Sequence, residues 1–64
     1  MWDSRIFWYV VSVTEFLNLN EGTITDVQIT YNNKNNEYVV FFRTYSNDVV
    51  IFEVEEERYR DDDD

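Results

Sequence analysis

The chain of 64 residues has no cysteine, no histidine and no proline, and it has a single glycine. Without cysteine it cannot form the disulfides that stabilise many small domains, and without cysteine and histidine it lacks the usual ligands of a structural zinc ion. The same absences exclude thiol redox chemistry and the catalytic triads and dyads that use an imidazole or a thiolate. We therefore expect stability to come from aromatic bulk together with self-association or a partner.

Positive charge is also scarce, because five bases stand against fourteen acids and give a net charge of −9. A chain this acidic does not seek phosphate backbones or anionic lipid, so we expect no direct binding of nucleic acid and no membrane partner. Residues 53–64 hold eight acids and two bases, a net charge of −6 in less than a fifth of the chain. The negative charge is thus concentrated at the carboxyl end.

No targeting signal is evident in the sequence. The apolar run 6–13 lacks a basic flank and a small-residue cleavage site, and it is far shorter than the ~20 residues that span a bilayer. We therefore expect a soluble protein in the cytoplasm of its host cell.

Four runs rich in β-branched and aromatic residues predict an all-β fold. The predicted strands cover residues 5–13, 23–31, 37–45 and 49–55, and the cleanest period-two alternation lies in the second. The asparagine-rich loop 32–36 and the loop 46–48 are typical of hairpin turns, and Gly22 is expected to be left-handed before the second strand. The prediction is a four-stranded antiparallel meander, with residues 14–19 forming either one short helical turn or extended chain.

Three of the four predicted strands are apolar on both faces. A sheet of this kind must be covered twice, and no long amphipathic helix is evident to cover it. The sheet can curl toward a small barrel, or it can stack against a second copy or a partner. If Phe41 is buried, its truncation to alanine is expected to cost roughly 3 to 5 kcal/mol, enough to unfold so marginal a domain.

We divide the chain into a single antiparallel β domain at residues 1–54 and an acidic C-terminal tail at residues 55–64. The consecutive acids of the tail do not resemble a metal site, which needs oxygen ligands converging from a fixed loop. A catalytic carboxylate would need burial in a cleft. We expect no metal, no cofactor and no enzymatic activity, and we assign most aromatic residues to core packing and cross-strand pairs.

The clustered acids suggest a more specific role. Carboxylates on a rigid sheet can replace phosphates in the basic groove of a nucleic-acid-binding protein. Residues on one face of a strand are ~6.6 Å apart, so one strand can imitate only alternate phosphates and a second row is needed. Asp26, Glu37 and Asp48 could extend the patch. The residues expected to bind the partner are Glu53, Glu55, Glu56, Glu57, Tyr59, Asp61, Asp62, Asp63 and Asp64.

In its length, its composition and the acidic segment 53–64, the chain resembles the small acidic phage-encoded inhibitors of the DNA-mimic type. These include inhibitors of CRISPR nucleases, restriction systems and uracil-DNA glycosylase, and the phage inhibitors of host RNA polymerase are of similar kind. The resemblance implies a non-enzymatic viral inhibitor whose partner is a basic nucleic-acid-binding protein of the host. The alternative is a self-associating structural or accessory protein that uses an apolar sheet face as a homodimer interface and whose acids only keep it soluble.

Overall fold

The computed structural model describes residues 2–56, and these form one sheet with one helix. The elements are β1 (Trp2–Phe7), α1 (Val10–Leu19), β2 (Ile24–Asn32) and β3 (Glu37–Thr44). The strand order is β1-β3-β2, and β3 is antiparallel to both neighbours. The all-β prediction is confirmed in part, because the fold is mostly β and antiparallel but includes one helix. The described residues form an open three-stranded sheet rather than a four-stranded meander or a barrel.

The first predicted strand was too long, because the chain turns into α1 at Val10. The β-branched residues at positions 10, 11 and 13 favour a strand locally. However, Val13, Phe16 and Asn20 recur at helical spacing, and all three are buried. The ring of Phe16 lies 5.4 Å from the rings of both Phe7 and Phe42, measured between centroids. Burial of this helical stripe therefore overrides local strand propensity.

The fourth predicted strand is not formed. Residues 49–56, which we call the C-terminal strap, have no regular secondary structure. Ile51 and Val54 are partly buried and pack against the core on the helix side of the sheet. The apolar alternation of this segment was therefore a correct sign of burial, although no strand ladder accompanies it.

The turns are formed differently from the prediction at one position. Asn36 in the hairpin loop has a positive φ of 54°, as expected for an asparagine-rich turn, but Gly22 does not. The backbone N–H groups of Thr23 and Ile24 both donate to the carbonyl oxygen of Asn20, at 2.9 and 3.0 Å. These bonds close the turn after α1 without a left-handed residue.

The core lies on one face of the sheet, between the strands, α1 and the strap. Its buried apolar residues are Phe7, Val13, Phe16, Val40 and Phe42. Phe41 points to the opposite face and remains 40% exposed, so the burial on which the expected effect of Phe41→Ala depends is found at Phe42 instead. The side of the sheet opposite α1 is called the open face below. Within residues 2–56, no helix is long and apolar enough to cross a membrane.

Candidate protein-binding surfaces

The C-terminal strap is held first by Asn20, the C-cap residue of α1. Asn20 is almost completely buried, and its amide nitrogen donates to the carbonyl oxygens of Phe16 at 2.8 Å and Phe52 at 2.9 Å. Its amide oxygen accepts from the backbone N–H of Phe52 at 2.8 Å. The side chain thus pairs with both backbone groups of Phe52, as a neighbouring strand would do. The buried amide of Asn20 therefore pairs the strap with the rest of the fold where no strand ladder is formed.

Arg5 of β1 provides a second attachment. Its Nε and Nη2 donate to the two carboxylate oxygens of Glu53, at 2.8 and 2.6 Å, and Nη1 lies 3.3 Å from a carboxylate oxygen of Asp3. The guanidinium carbon is also 5.5 Å from the centre of the Phe42 ring, in cation–π geometry. The bidentate contact between Arg5 and Glu53 fixes the middle of the strap against β1.

The Arg5 cluster shifts the pKa values of its members. The hydrogen bonds between Arg5 and Glu53 lower the pKa of Glu53. The same hydrogen bonds raise the pKa of Arg5. The pKa of Asp3 is lowered first by the backbone N–H of Ser4, which donates to its carboxylate, and then by Arg5. All three groups are therefore charged at neutral pH.

Glu56 provides the third attachment, at the start of α1. Its carboxylate accepts the backbone N–H of Trp8 at 2.9 and 3.0 Å and that of Tyr9 at 2.9 Å. Tyr9 is the N-cap residue of α1 and makes no side-chain capping bond, and the first turn contains no acid. A negative charge at this end of a helix is stabilising. The start of α1 has no acid of its own, and Glu56, 47 residues further along the chain from Tyr9, supplies the negative charge.

The structure separates the residues that the sequence grouped as a partner-binding set. Glu53 and Glu56 are engaged within the chain, whereas Glu55 between them is exposed. Glu57, Tyr59, Asp61, Asp62, Asp63 and Asp64 lie outside the described residues.

The three acids expected to extend the acidic patch do not form one row with the strap. Asp26 of β2 lies opposite Arg43, which is six residues along β3 from Glu37. The two acids are therefore separated by roughly 20 Å along the strands. Asp48 belongs to the turn after β3. In the described part of the chain, the exposed acids are therefore distributed around the domain.

The two arginines of the described residues are both paired with acids of the same chain. Arg43 donates to Asp26 at 2.6 and 3.1 Å, and its guanidinium carbon lies 5.5 Å from the centre of the Trp2 ring. Arg5 is held by Glu53 and Asp3, as described above. Residues 2–56 contain nine acids and three bases, so these pairs leave most acids without a compensating arginine.

The open face carries an apolar patch that no other part of residues 2–56 covers. Trp2 and Ile6 of β1 and Phe41 of β3 remain 46%, 49% and 40% exposed, and Val39 lies beside them. The neighbouring positions of β2 on this face are polar, and a shallow cavity of about 260 Å³ lies between Trp2, Gln28 and Phe41. An aromatic patch with an adjoining arginine is typical of a protein-binding surface.

Signs of a chemical site are sparse in the described residues. No group of three or more acids is placed to hold a metal ion in the part of the chain that the structure describes. A cavity of about 450 Å³ beside Thr44 and Ile51 includes one ionisable group, Asp3, which is already engaged by Ser4 and Arg5.

Sequence reasoning missed the anchoring roles of Asn20, Arg5 and Glu56. Asn20 fell in a polar stretch that reads as a turn, although its spacing from Phe16 continues the buried stripe of the helix. The contacts of Arg5 and Glu56 each span 47 or 48 residues. No local pattern can indicate such pairs.

In comparisons with protein-family models, with curated proteins and with solved structures, none matches this chain.

Proposed function

We propose that this chain is a non-enzymatic inhibitor whose acidic surface occupies the basic nucleic-acid-binding groove of another protein. The observation that supports the proposal best is the internal pairing of Arg5 and Arg43 with acids. Because these arginines are bound within the chain, they are not free to neutralise the exposed acids. Outside these pairs, residues 2–56 keep six acids against one lysine, and this negative surface favours a partner with a positive groove.

The attachments of the strap fix the position at which the acidic carboxyl end begins. Glu53 and Glu56 attach the strap to β1 and to the start of α1, and Glu55 projects between these two attachments. The remaining acids of the proposed site follow directly in the sequence. We therefore assign Glu53 and Glu56 to positioning, and we assign partner contact to Glu55, Glu57, Tyr59, Asp61, Asp62, Asp63 and Asp64.

The proposed mechanism is electrostatic competition with nucleic acid. The carboxylates would take the positions of phosphates along a row of lysine and arginine side chains, and counterions would be released from the partner's groove. Inhibition should therefore weaken steeply as salt concentration rises, and excess nucleic acid should relieve it. Both dependences follow from charge rather than from any active-site chemistry.

The test uses a panel of purified enzymes with basic DNA-binding grooves: a CRISPR nuclease, a restriction endonuclease, a uracil-DNA glycosylase and an RNA polymerase. We expect inhibition of at least one enzyme, competitive with DNA and lost at high salt. A variant with Glu55→Gln, Glu57→Gln, Asp61→Asn and Asp62→Asn should lose it. Glu56 is left unchanged because it supports the start of α1.

A matched control removes the same number of charges elsewhere, through Glu15→Gln, Glu21→Gln, Glu37→Gln and Asp48→Asn. This control should keep most of the inhibition, because the proposal assigns contact to the carboxyl end. No inhibition across the panel would refute the proposal for these enzyme classes. Inhibition that is insensitive to salt, or equally weakened in both variants, would refute the proposed site.

The second candidate function is self-association as a structural or accessory protein. It is favoured by the large apolar side chains left exposed on both sides of the sheet, among them Phe41 on the open face and Ile29 on the helix side. Sedimentation of the full chain over a range of concentrations tests it. A monomer at every concentration would refute it.

A further inference from the structure

We propose that the free edge of β2 is a homodimer interface, at which β2 pairs antiparallel with β2 of a second copy. The inference deepens the second candidate function and does not depend on the inhibitor proposal. It would join two three-stranded sheets into one continuous six-stranded sheet. The reason lies in a difference between the two edges of the sheet, β1 and β2.

The β1 edge is protected by side chains of the same chain. The backbone N–H of Ser4 donates to Asp3 at 2.8 Å, and its carbonyl oxygen accepts from Arg5 at 2.8 Å. Just beyond the end of β1, Glu56 accepts two further backbone N–H groups. Charged side chains that occupy an edge in this way block the addition of another strand.

The β2 edge has no comparable protection within the described part of the chain. Every residue of the stretch 25–31 is exposed, and no side chain of residues 2–56 makes a hydrogen bond to a backbone group of residues 26–31. The strand is nine residues long and has no proline or lysine. Its single charge, Asp26, is paired with Arg43. A long, weakly charged edge of this kind favours strand pairing.

The bonding pattern of the sheet identifies the outward groups of β2. The backbone N–H and C=O of Ser4 bond to the side chains of Asp3 and Arg5, so these two backbone groups point away from β3. Phe41 lies opposite Ser4 in the antiparallel pair, and its own backbone groups must therefore point toward β2. Phe41 lies opposite Gln28, so Gln28 bonds to β3. By alternation, the N–H and C=O groups of Val27, Ile29 and Tyr31 point to the free edge.

The side chains of the same three residues lie on the helix side of the sheet, where nothing in the described chain covers them well. Val27, Ile29 and Tyr31 are 39%, 48% and 50% exposed. The rings of Tyr31 and Tyr38 are 4.9 Å apart, so Tyr31 is already part of a local aromatic pair. Each residue therefore contributes both apolar surface and backbone groups that nothing in residues 2–56 pairs at this edge.

Symmetry then restricts the register. An antiparallel pair of identical edge strands is related by a two-fold axis perpendicular to the sheet, so the helix-side residues of both copies stay on one face. The register with Ile29 opposite Ile29 overlaps the whole stretch 26–32, which follows the β-bulge between Ile24 and Asp26. It places Val27 opposite Tyr31, an aromatic and β-branched cross-strand pair. All outward groups of the three residues are then paired.

The charges fit this register. Asp26 lies opposite Asn32 of the second copy, so like charges do not meet across the interface. The hairpin loop with Lys34 approaches the beginning of β2 in the second copy, where Glu21 and Asp26 are found. Pairing of seven residues from each copy buries on the order of 1,000 Å² in total, near the lower limit for a specific interface.

The open face is a weaker candidate for the same contact. Stacking two open faces would bury the Arg43 and Asp26 pair, which is now about half exposed, and desolvation of such a pair opposes association. Edge pairing leaves this ion pair at the surface. It also leaves Trp2 and Phe41 accessible to a different partner.

The experiment uses the full chain, which has no native cysteine, with a single cysteine introduced at one of two positions. Ile29→Cys should form a disulfide-linked dimer under mild oxidation, because the two Cα atoms would lie ~5.5 Å apart. Val27→Cys is the matched control, since it is on the same face with similar exposure. Its two copies would be displaced by four residues, ~13 Å along the strands, and should not link.

Amide hydrogen exchange of the unmodified chain provides an independent reading. The amides of Val27, Ile29 and Tyr31 should become more protected as protein concentration rises, in parallel with a dimer seen by sedimentation. Equal cross-linking of both cysteine variants, or a dimer without protection of these amides, would overturn the inference while leaving self-association intact. A monomer at all concentrations, or protection that does not change with concentration, would overturn it as well.

Discussion

Phe41 and Phe42 are adjacent phenylalanines of β3 that should respond very differently to truncation. Phe42 is fully buried on the helix side, in contact with Phe16 and beneath the guanidinium of Arg5. Phe41 points to the open face and keeps 40% of its surface exposed. The change to alanine is chemically the same at both positions, so the comparison isolates the environment of the side chain.

The expected magnitudes follow from burial. Removing a fully buried phenylalanine ring loses its transfer free energy and leaves a cavity, so Phe42→Ala should lower the free energy of unfolding by about 3 to 5 kcal/mol. Burying a whole phenylalanine side chain contributes at most about 3 kcal/mol, so Phe41→Ala should lower it by about 1.5 kcal/mol without creating a cavity. A domain of this size has a total stability of roughly 3 to 10 kcal/mol. Phe42→Ala is therefore expected to remove a third or more of the total stability.

Urea denaturation followed by tryptophan fluorescence measures the difference, at a protein concentration low enough to keep the chain monomeric. Because Phe42→Ala could be too unstable for a full transition, Phe42→Leu serves as a milder variant, with an expected loss of about 1 to 2 kcal/mol. If Phe41→Ala destabilised the protein as much as Phe42→Ala, the exposure assigned to Phe41 would be wrong. Either the two faces of β3 would be exchanged, or the open face would be covered in solution.

The sequence was sufficient for the antiparallel β2–β3 hairpin because its signals are local. Alternation in β2 and the asparagine-rich loop each depend on neighbouring residues, and the structure places Asn32 opposite Glu37 at the closing end. The helix was under-predicted for the opposite reason. Its first residues favour a strand by propensity, and only burial of Phe16 against β1 and β3 makes the helix preferable.

The candidate site was less accessible to prediction than the fold. The acid-rich carboxyl end could be recognised from composition, but the division between anchoring and exposed acids could not. Glu53, Glu55 and Glu56 are nearly consecutive, yet the structure assigns the first and last to contacts with β1 and the start of α1. The distinction depends on where Arg5 and the N–H group of Tyr9 lie in space. The sequence also did not indicate which edge of the sheet is protected.

Two further predictions concern the attachments of the strap. Asn20→Ala should lower the free energy of unfolding by about 2 to 3 kcal/mol, because it removes a buried amide that makes three hydrogen bonds to the backbone of Phe16 and Phe52. The exposed Asn18→Ala is its control, with an expected change within about 0.5 kcal/mol, and unchanged amide exchange at Phe52 in Asn20→Ala would contradict the anchoring role. Glu53 tests the pH dependence. Its folded-state pKa lies below the ordinary value of 4.5, so the unfolded chain takes up its proton first as pH falls. The stabilisation is therefore present above about pH 4.5 and is lost as pH falls through the lower folded-state pKa. Since the pair is partly exposed and screened, the effect should be below about 1 kcal/mol. The difference in unfolding free energy between the unmodified chain and Glu53→Gln should shrink in this acid range, and a constant difference would mean that the pairing with Arg5 does not contribute through charge.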